Sequence, residues 1–428
     1  MERALLVGAP LKRPGARRAV DDHLRELAEL ADTAGAEVIG DMTQQIDRPD
    51  PRTYLGSGKI EELRDRVEDA NASLVIFDDE LSPSQGKNIE DAIGKRVMDR
   101  AELILDIFAT RARTSEAKMQ VELAQLEYML PRLTRMWTHL EKFRGGIGMR
   151  GPGETQLETD RRLINHRIKV LRERLADVQR GRAIQRQSRQ GEFKASLVGY
   201  TNAGKSSILR ALSGASEVFV ENRLFATLDP LTREVDLGEH THVLVTDTVG
   251  FIRKLPHHLV ASFRATLEET READLLLHVI DASSPTWEEQ RVVVEQVLDE
   301  LGVNDRPKLL VFNKIDLVDH DTLMALQERI VNLVPSAVFV STVTEGGLEP
   351  LRRALLGAVR TRRPVTEIRI SPTNGKLLSE IHRDAEVIDQ QLEGEELVLT
   401  ARVDPALAGR LQRAGATVST GNGNGPRS

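Results

Sequence analysis

The segment that most constrains this chain runs from Gly199 to Ser206 and reads Gly-Tyr-Thr-Asn-Ala-Gly-Lys-Ser. It satisfies the phosphate-binding loop pattern G-x-x-x-x-G-K-[ST] at every fixed position. The largely apolar run from Phe193 to Val198 precedes it as a predicted buried strand, and Ser207 to Leu212 follow it as a predicted helix. Glycines in such a loop let several backbone N–H groups converge on an anion, and the helix N-terminus adds partial positive charge. The alternative is a chance match on an ordinary glycine turn.

The composition limits where such a loop can operate. A chain of 428 residues is too long for one hydrophobic core, so we expect several domains. The absence of cysteine excludes disulfides and cysteine metal sites and fits a reducing compartment. The sequence has no apolar run of the roughly 18 residues that a spanning helix needs, and its N-terminal apolar run is too short for a secretion signal. We therefore expect a cytoplasmic protein.

The order of the patterns predicts an α/β chain with an added helical hairpin. The phosphate loop lies in a domain whose sheet we expect to be mixed and flanked by helices. The predicted divisions are an N-terminal α/β domain (residues 1–115), a helical hairpin with a glycine-rich tip (116–180), a linker (181–191), the domain with the phosphate loop (192–361), a small α+β domain (362–415) and a disordered tail (416–428).

Strand and helix patterns alternate in the N-terminal domain. Leu5 to Val7, Glu37 to Gly40 and Leu74 to Phe77 read as strands, and Asp21 to Ala34 has the apolar spacing of a helix. Such alternation favours a parallel sheet. The acidic residues 78–80 follow the third strand and could bind a metal, but no histidine or further ligand accompanies them. We therefore interpret them as a solvated loop.

Two helical patterns with one apolar stripe each come next and predict a hairpin. A glycine-rich segment, residues 145–153, joins them. Residues 132–189 hold 15 Lys and Arg and 6 Asp and Glu, a local charge of +9 in a chain whose net charge is −7. The predicted stripes are Met119, Leu123, Leu126 and Leu130 on the first helix, and Leu163, Val170, Leu171, Leu175 and Val178 on the second.

A basic segment on an acidic chain indicates a polyanionic partner. Folded RNA is recognised mainly through its shape and phosphates, which suits a basic, backbone-rich tip. The expected RNA contacts are Arg144, Arg150 and Gly151 at the tip and Arg161 and Arg162 on the second helix. The alternatives are an arginine-rich solvated helix face and a plain flexible connection between helices.

Motifs at the ends of later apolar strands complete a nucleotide site. Asp247, at one strand end, can hold Mg²⁺ through water, and the N–H of Gly250 can reach a γ-phosphate. Thr227 lies between the phosphate loop and Asp247 in the sequence and is suited to close over Mg²⁺ as a switch residue. Asp316 of the Asn-Lys-Ile-Asp motif can accept two hydrogen bonds from guanine that adenine cannot offer together, and the backbone at Ser341 could meet the guanine oxygen.

These motifs in this order predict a Mg²⁺-dependent GTPase. The expected catalytic residues are Asn202, Lys205, Thr227 and Gly250, and the expected metal ligands are Ser206, Thr227 and, through water, Asp247. The expected nucleotide contacts are Gly199, Tyr200, Thr201, Asn202, Ala203, Gly204, Lys205, Ser206, Ser207, Phe225, Ala226, Thr227, Leu228, Asp229, Asp247, Thr248, Val249, Gly250, Asn313, Lys314, Ile315, Asp316, Ser341, Thr342 and Val343.

The last 60 or so residues read as a small α+β unit with no catalytic grouping. Ile368 and Ile370 alternate with polar residues, as do the apolar residues of segment 397–403. Asp404 and Pro405 predict the cap and first turn of a helix that ends near Ala414.

Several longer segments resemble the HflX family of GTPases. The resemblance covers roughly residues 1–361 and is most specific at Arg150 to Glu158. Two positions differ from the pattern expected of that family: Thr342 stands where alanine is usual, and Leu231 stands where we expect threonine. The segments that carry the resemblance are residues 81–85, 106–109, 120–126, 150–158, 222–229 and 247–251.

The resemblance implies a GTPase switch that binds the large ribosomal subunit and splits or rescues stalled or idle ribosomes, as in stress. A ribosome hibernation or anti-association factor, with GTP as a timer, stays open as an alternative. So does a GTPase that acts on another RNA or on a membrane-bound partner, although nothing indicates membrane contact. The expected ligands are GTP, GDP and Mg²⁺, and we expect a monomer.

Phe251 stands where Ras-like enzymes have the glutamine that orients the attacking water. We therefore expect slow hydrolysis by the free protein. In related GTPases with an asparagine at the position of Asn202, that residue helps to hold K⁺ in place of an arginine finger, so the resemblance implies K⁺ as a second cofactor. The alternative is that Asn202 only hydrogen-bonds its own loop.

Overall fold

The computed structural model describes residues 1–12, 16–136, 152–187, 192–214, 223–238, 241–255, 269–334 and 336–420. The chain divides into two compact units. The first contains Met1–Arg182, Glu221–Asp229 and Ile252–Thr266, and the second contains Ala183–Val220, Pro230–Phe251 and Leu267–Ser428. The first unit thus includes two short segments that follow the phosphate loop in sequence.

A four-stranded parallel sheet forms the N-terminal domain, which confirms the prediction of an α/β fold there. Its strands are β1 (Arg3–Gly8), β2 (Glu37–Thr43), β3 (Leu74–Phe77) and β4 (Arg96–Asp99), and its helices are α1 (Ala16–Ala34), α2 (Ser57–Asp69), α3 (Pro83–Ile93) and α4 (Arg100–Arg111). The strand order is β2-β1-β3-β4. Every residue of the inner strand β3 is buried, as is usual for a parallel strand covered on both faces.

The start of α3 follows the sequence signal closely. The Ser82 hydroxyl accepts a hydrogen bond from the N–H of Gln85, and the Gln85 side-chain oxygen accepts one from the N–H of Ser82. This reciprocal pair satisfies two N–H groups that a helix start leaves without intrahelical partners, and Pro83 has no such group to satisfy.

Of the acidic residues after β3, Glu80 is exposed as we expected, but Asp78 is not part of a solvated loop. Asp78 is only 3% exposed, and its two carboxylate oxygens accept hydrogen bonds from Arg100 (2.7 Å) and Lys254 (2.5 Å). Arg100 is buried as well; it contacts Glu26 and donates to the carbonyl of Arg253 (3.2 Å). Burial raises the pKa of Asp78, but its hydrogen-bonded and cationic neighbours outweigh that effect and hold the pKa well below its usual range. Asp78 therefore neutralises the buried cation of Arg100.

Two helices, α5 (Ser115–Met136) and α6 (Pro152–Gln187), provide the arms of the predicted hairpin. Their seam includes Leu171 and Leu175 as predicted but not Leu163, which is 59% exposed; Ile164 and Ile168 pack there instead. Val170 and Val178, also predicted for the seam, are only partly buried and lie outside this cluster. The polar segment from residue 181, predicted as a linker, continues α6 to Gln187, because Arg, Ala and Gln are good helix formers. The expected tip contacts Arg144, Arg150 and Gly151 lie outside the described residues.

A six-stranded mixed sheet organises the second unit. Its strands are β5 (Phe193–Gly199), β6 (Leu231–Asp236), β7 (His242–Asp247), β8 (Leu275–Asp281), β9 (Lys308–Asn313) and β10 (Val338–Phe339), and its helices are α7 (Lys205–Ser213), α8 (Trp287–Glu300), α9 (His320–Leu333) and α10 (Glu349–Arg362). The order is β10-β9-β8-β5-β7-β6, and only the pair of β6 and β7 is antiparallel. This arrangement brings the carboxyl ends of five parallel strands to one edge, where ligands bind in open α/β sheets.

The C-terminal part of the second unit is a four-stranded antiparallel sheet with two helices. Its elements are β11 (Val365–Ile370), α11 (Gly375–Asp384), β12 (Glu386–Glu393), β13 (Glu396–Arg402), α12 (Pro405–Arg413) and β14 (Thr417–Thr420). The predicted start of the tail at residue 416 is wrong, because β14 pairs with β11 and is rich in β-branched residues. Within the described ranges, no helix is long and apolar enough to cross a membrane.

Candidate nucleotide-binding site

The phosphate loop connects β5 to α7 and requires glycine at two positions. A Cβ on Gly199 would lie closer than 3.0 Å to the carbonyl oxygen of Val279, and one on Gly204 would lie equally close to the side-chain nitrogen of Asn313. Real Cβ atoms essentially never come so near. Gly204 also has φ +93°, a value that other residues rarely adopt. These glycines are therefore fixed by packing as well as by the sequence pattern.

Lys205 is buried at the centre of this loop. Its ammonium group donates hydrogen bonds to the carbonyls of Gly199 (3.2 Å) and Tyr200 (2.8 Å). Burial lowers the pKa of Lys205 to about 8, and the positive charge of Lys314 adds to this effect, while Asp247 opposes it. An anion bound in the loop would restore the favourable surroundings of the charged form.

Ser206 and Asp247 meet where the metal ligands were predicted. The Ser206 hydroxyl donates to the Asp247 carboxylate at 2.6 Å. Asp247 ends β7 beside Leu197 of β5, and the neighbouring Thr248 hydroxyl donates to the carbonyl of Leu197 (2.6 Å). An alcohol and a carboxylate oxygen in contact form the hard oxygen environment that Mg²⁺ prefers, so these residues fit that ion.

The backbone of Gly250 lies directly against the loop. A Cβ on Gly250 would be 2.6 Å from Cα of Thr201 and 3.1 Å from the Lys205 ammonium nitrogen. The N–H of Thr201 donates to the carbonyl of Phe251 (2.7 Å), and the N–H of Phe251 donates to that of Gly199 (3.0 Å). The phenyl ring of Phe251 is buried and carries no group that could orient water.

The predicted guanine-binding motifs also come together. Asn313 donates through its side-chain nitrogen to the carbonyl of Ala203 (3.0 Å), which ties the base motif to the phosphate loop. The Ser341 hydroxyl donates to Asp316 (2.6 Å) and accepts from the N–H of Val343 (3.1 Å). The carboxylate that we predict to contact the base is thus held in place while Asp316 remains exposed to solvent.

Lys314 has a partner that the sequence patterns did not indicate. Its ammonium group lies 2.7 Å from the carboxylate of Asp281, and its backbone has φ +62°, which is uncommon for a residue other than glycine. Asp281 ends β8, between the strands that end in the phosphate loop and in the base motif. An acidic residue at that strand end is the signal that could have identified it.

Asn202 stands exposed in the phosphate loop with φ +60°. Its side-chain amide makes no hydrogen bond to any described residue. The structure therefore does not contain the loop-internal hydrogen bond that was the alternative to a role in cation binding.

The predicted switch segment, residues 225–229, belongs to the first unit. Thr227 is half-buried between the buried side chains of Phe225 and Leu228. The carboxylate of Asp229, predicted as a nucleotide contact, accepts hydrogen bonds from the start of α5 in this structure. Arg161 and Arg162 are exposed on α6, as an RNA-contacting role requires.

Sequence comparisons divide the chain in the same order as the motifs do. Residues 21–109 match the N-terminal domain of GTP-binding GTPases, residues 111–189 match their middle region, and residues 194–314 match the 50S ribosome-binding GTPase family. The GTPase HflX of Magnetococcus marinus is 45% identical over 415 residues, which cover 96% of this chain and 94% of the relative. The chain belongs to the HflX family.

Other HflX proteins match over slightly shorter lengths. The GTPase HflX of Escherichia coli K12 is 45% identical over 85% of both chains, and that of Flavobacterium psychrophilum is 46% identical over 84% of this chain and 91% of its own. Among solved structures, a GTP-binding protein from the archaeon Sulfolobus solfataricus in complex with GDP is similar with 25% identity. It covers 84% of this HflX chain and 99% of the archaeal one, with a TM-score of 0.43.

Proposed function

We propose that this protein is a GTP-hydrolysing switch that binds the large ribosomal subunit and splits or rescues stalled or idle ribosomes in the cytoplasm. The main support for GTP binding and hydrolysis is the hydrogen bond of Asn313 to Ala203, which joins the phosphate loop to the motif that we predict to read guanine. The ribosomal part is supported by the match to the 50S ribosome-binding GTPase family and by the exposed arginines of α6.

The binding steps follow from the residues of the second unit. Lys205 and the loop N–H groups would bind the outer phosphates, and Asp316, held by Ser341, would accept from the guanine N1–H and 2-amino group. Ser206 would hold Mg²⁺ directly and Asp247 would hold it through water. When bound, this ion neutralises charge on the β- and γ-phosphates.

Hydrolysis by the free protein should be slow for a structural reason. Ras-like GTPases orient the attacking water with a glutamine, and Phe251 cannot replace it because its ring is buried and apolar. The protein must therefore obtain its catalytic stimulation from a partner or a cation. If the large ribosomal subunit stimulates GTP hydrolysis and is released after it, the rate of hydrolysis sets how long the complex lasts.

A splitting assay tests this proposal. Intact ribosomes are mixed with the protein and GTP, a GTP analogue or GDP, and subunits are separated by sedimentation. We expect GTP and the analogue to convert intact ribosomes into subunits, and GDP to leave them intact. Ser206→Ala should lose this activity, whereas Ser213→Ala should keep it, because Ser213 is the last residue of the same helix and its hydroxyl donates to the carbonyl of Leu209.

The same assay separates the alternatives. Binding to large subunits without conversion of intact ribosomes would indicate an anti-association or hibernation factor. Failure to sediment with large subunits in any nucleotide state would refute the ribosomal part and leave a GTPase with another partner.

A further inference from the structure

The switch segment contacts the N-terminal domain on both sides of Thr227. On one side, the buried ring of Phe225 packs edge-on against Phe108 of α4, with ring centroids 4.7 Å apart. On the other side, the Asp229 carboxylate accepts hydrogen bonds from the backbone N–H groups of Arg113 (3.1 Å) and Thr114 (3.3 Å). Thr227 is two residues from each attachment, so its position depends on both.

The second attachment lies at the base of the helical hairpin. Thr114 immediately precedes α5, and its hydroxyl both donates to Asp229 and accepts from the N–H of Ala117 (3.1 Å). A carboxylate at a helix N-terminus is favoured by the partial positive charge there. Thr114 and Asp229 are 115 residues apart in sequence, so this contact connects two segments with separate predicted tasks.

The switch carries backbone strain that it could release. Phe225 has φ +55°, an uncommon value for a bulky aromatic residue, and it is retained while the ring stays packed on Phe108. The bonds from Arg113 (3.1 Å) and Thr114 (3.3 Å) to Asp229 are near the upper end of the usual N–H···O range of about 2.7–3.2 Å, so little further separation is needed to lose them. Because Asp229 is only two residues from Thr227, a movement of Thr227 by several ångströms can pull the Asp229 carboxylate away from Arg113 and Thr114.

We propose that Asp229 and Thr114 form a nucleotide-sensitive clasp that positions Thr227 and links it to the base of the hairpin. The clasp is closed with GDP and opens when GTP draws Thr227 towards the nucleotide. Opening frees the start of α5, so the hairpin takes its ribosome-binding arrangement only with GTP. By thermodynamic reciprocity, a particle that favours the free hairpin favours the GTP-bound switch by the same factor. This inference rests on the proposed function and names how that function is regulated.

Hydrogen exchange on the free full-length protein tests the clasp without any ribosome. The amides of Arg113 and Thr114 should exchange faster with a GTP analogue than with GDP, because they lose the carboxylate acceptor. Exchange at the amide of Leu407, which is capped by Asp404 at 2.7 Å in the C-terminal domain, should be the same in both states. Equal exchange at Arg113 and Thr114 with the two nucleotides would overturn the inference, whatever the partner proves to be.

Binding to large ribosomal subunits tests the predicted effect of the clasp on the hairpin. For purified large subunits, the ratio of affinities with GTP analogue and GDP should fall about tenfold in Thr114→Val, because a hydrogen bond to a charged group contributes about that factor or more. Thr114→Ser keeps the hydroxyl and should keep the wild-type ratio. Asp404→Ala removes a comparable helix cap elsewhere, so it should lower the melting temperature without changing the ratio.

The outcomes separate the two proposals. A wild-type ratio in Thr114→Val, together with normal particle binding, would refute the clasp and leave the ribosomal function standing. A wild type that does not bind large subunits would refute the ribosomal function, and hydrogen exchange would still decide the clasp.

Discussion

The burial of Lys205 ties nucleotide binding to proton uptake. Its ammonium group is enclosed by the phosphate loop and has only carbonyl acceptors there, so its pKa is lowered to about 8 in the free protein. Bound phosphates stabilise the charged form and raise the pKa again. The free protein is therefore partly deprotonated at this site in mildly alkaline solution, and the complex is not.

We expect nucleotide binding at pH 9 to take up a proton at Lys205. With a pKa of about 8, about nine tenths of the free protein lacks that proton at pH 9, and about one tenth lacks it at pH 7. Calorimetric titration with GDP in buffers of different ionisation enthalpy measures the uptake. The number of protons bound should rise from pH 7 to pH 9, and the absence of uptake at pH 9 would contradict the assignment of Lys205.

Asn202 gives a prediction about cations. Because its exposed amide is hydrogen-bonded to no described residue, its oxygen is available to join phosphate oxygens around K⁺. GTP turnover with large subunits should be faster in K⁺ than in Na⁺ at equal ionic strength, and Asn202→Ala should remove the difference. Equal wild-type rates in the two salts would exclude a K⁺ role.

At the scale of secondary-structure elements, β8 contains a buried histidine in the centre of the large sheet. His278 is 1% exposed, and burial, with smaller contributions from Arg291, Lys308 and Lys205, lowers its pKa to about 3. The unfolded chain binds a proton here below pH 6.5, and the folded chain does so only near pH 3. The titration of His278 therefore costs no stability above about pH 6.5, and it lowers the free energy of unfolding progressively as the pH falls towards 3.

Replacing this histidine should make the protein less sensitive to acid. Between pH 7 and pH 4.5, His278 should cost about 2 to 3 kcal/mol of unfolding free energy, and His278→Leu should not show that loss. Urea unfolding followed by tryptophan fluorescence at the two pH values measures it. His166→Gln, on the exposed face of α6, should keep the wild-type pH dependence. An identical loss in His278→Leu would show that other groups cause the acid sensitivity.

Elements whose signals are local could be predicted from the sequence. The strand that ends in Asp247, the capped start of α3 and the loop around Lys205 each depend on neighbouring residues, and each is where it was expected. The phase of α6 was wrong at Leu163, because an apolar residue beside the true seam fits a helical stripe almost as well. The clasp at Asp229 was missed because its partners are more than 100 residues away.

At the scale of the whole molecule, charge is divided unevenly along the chain. Residues 132–189, which include the second helix of the hairpin, carry a local charge of +9 in a protein of net charge −7. Basic groups that neutralise phosphates release condensed counterions, so their binding weakens steeply as salt rises. If these basic side chains contact RNA and not the nucleotide, removing them should leave the affinity for nucleotide unchanged.

Deleting residues 145–153 should therefore abolish particle-stimulated GTP turnover and leave the affinity for GDP unchanged. The wild type should lose affinity for large subunits steeply between about 50 and 200 mM salt. Deletion of the glycine-rich residues 421–425 is a matched control and should change neither property. Stimulation that survives removal of residues 145–153 would mean that this segment only connects the two helices.

The length of α6 has a mechanical consequence. From Arg180 to Pro152 the helix is continuous, and at 1.5 Å per residue this stretch is about 42 Å long. A tilt of about 10° at the Arg180 end would displace the Pro152 end by about 7 Å, which is more than one helical turn. Such a rod converts a small rotation at one end into a displacement of about two base-pair steps of a nucleic-acid duplex, each of which is about 3.4 Å. No hinge within α6 is needed for this displacement, because the helix is continuous from Pro152 to Arg180.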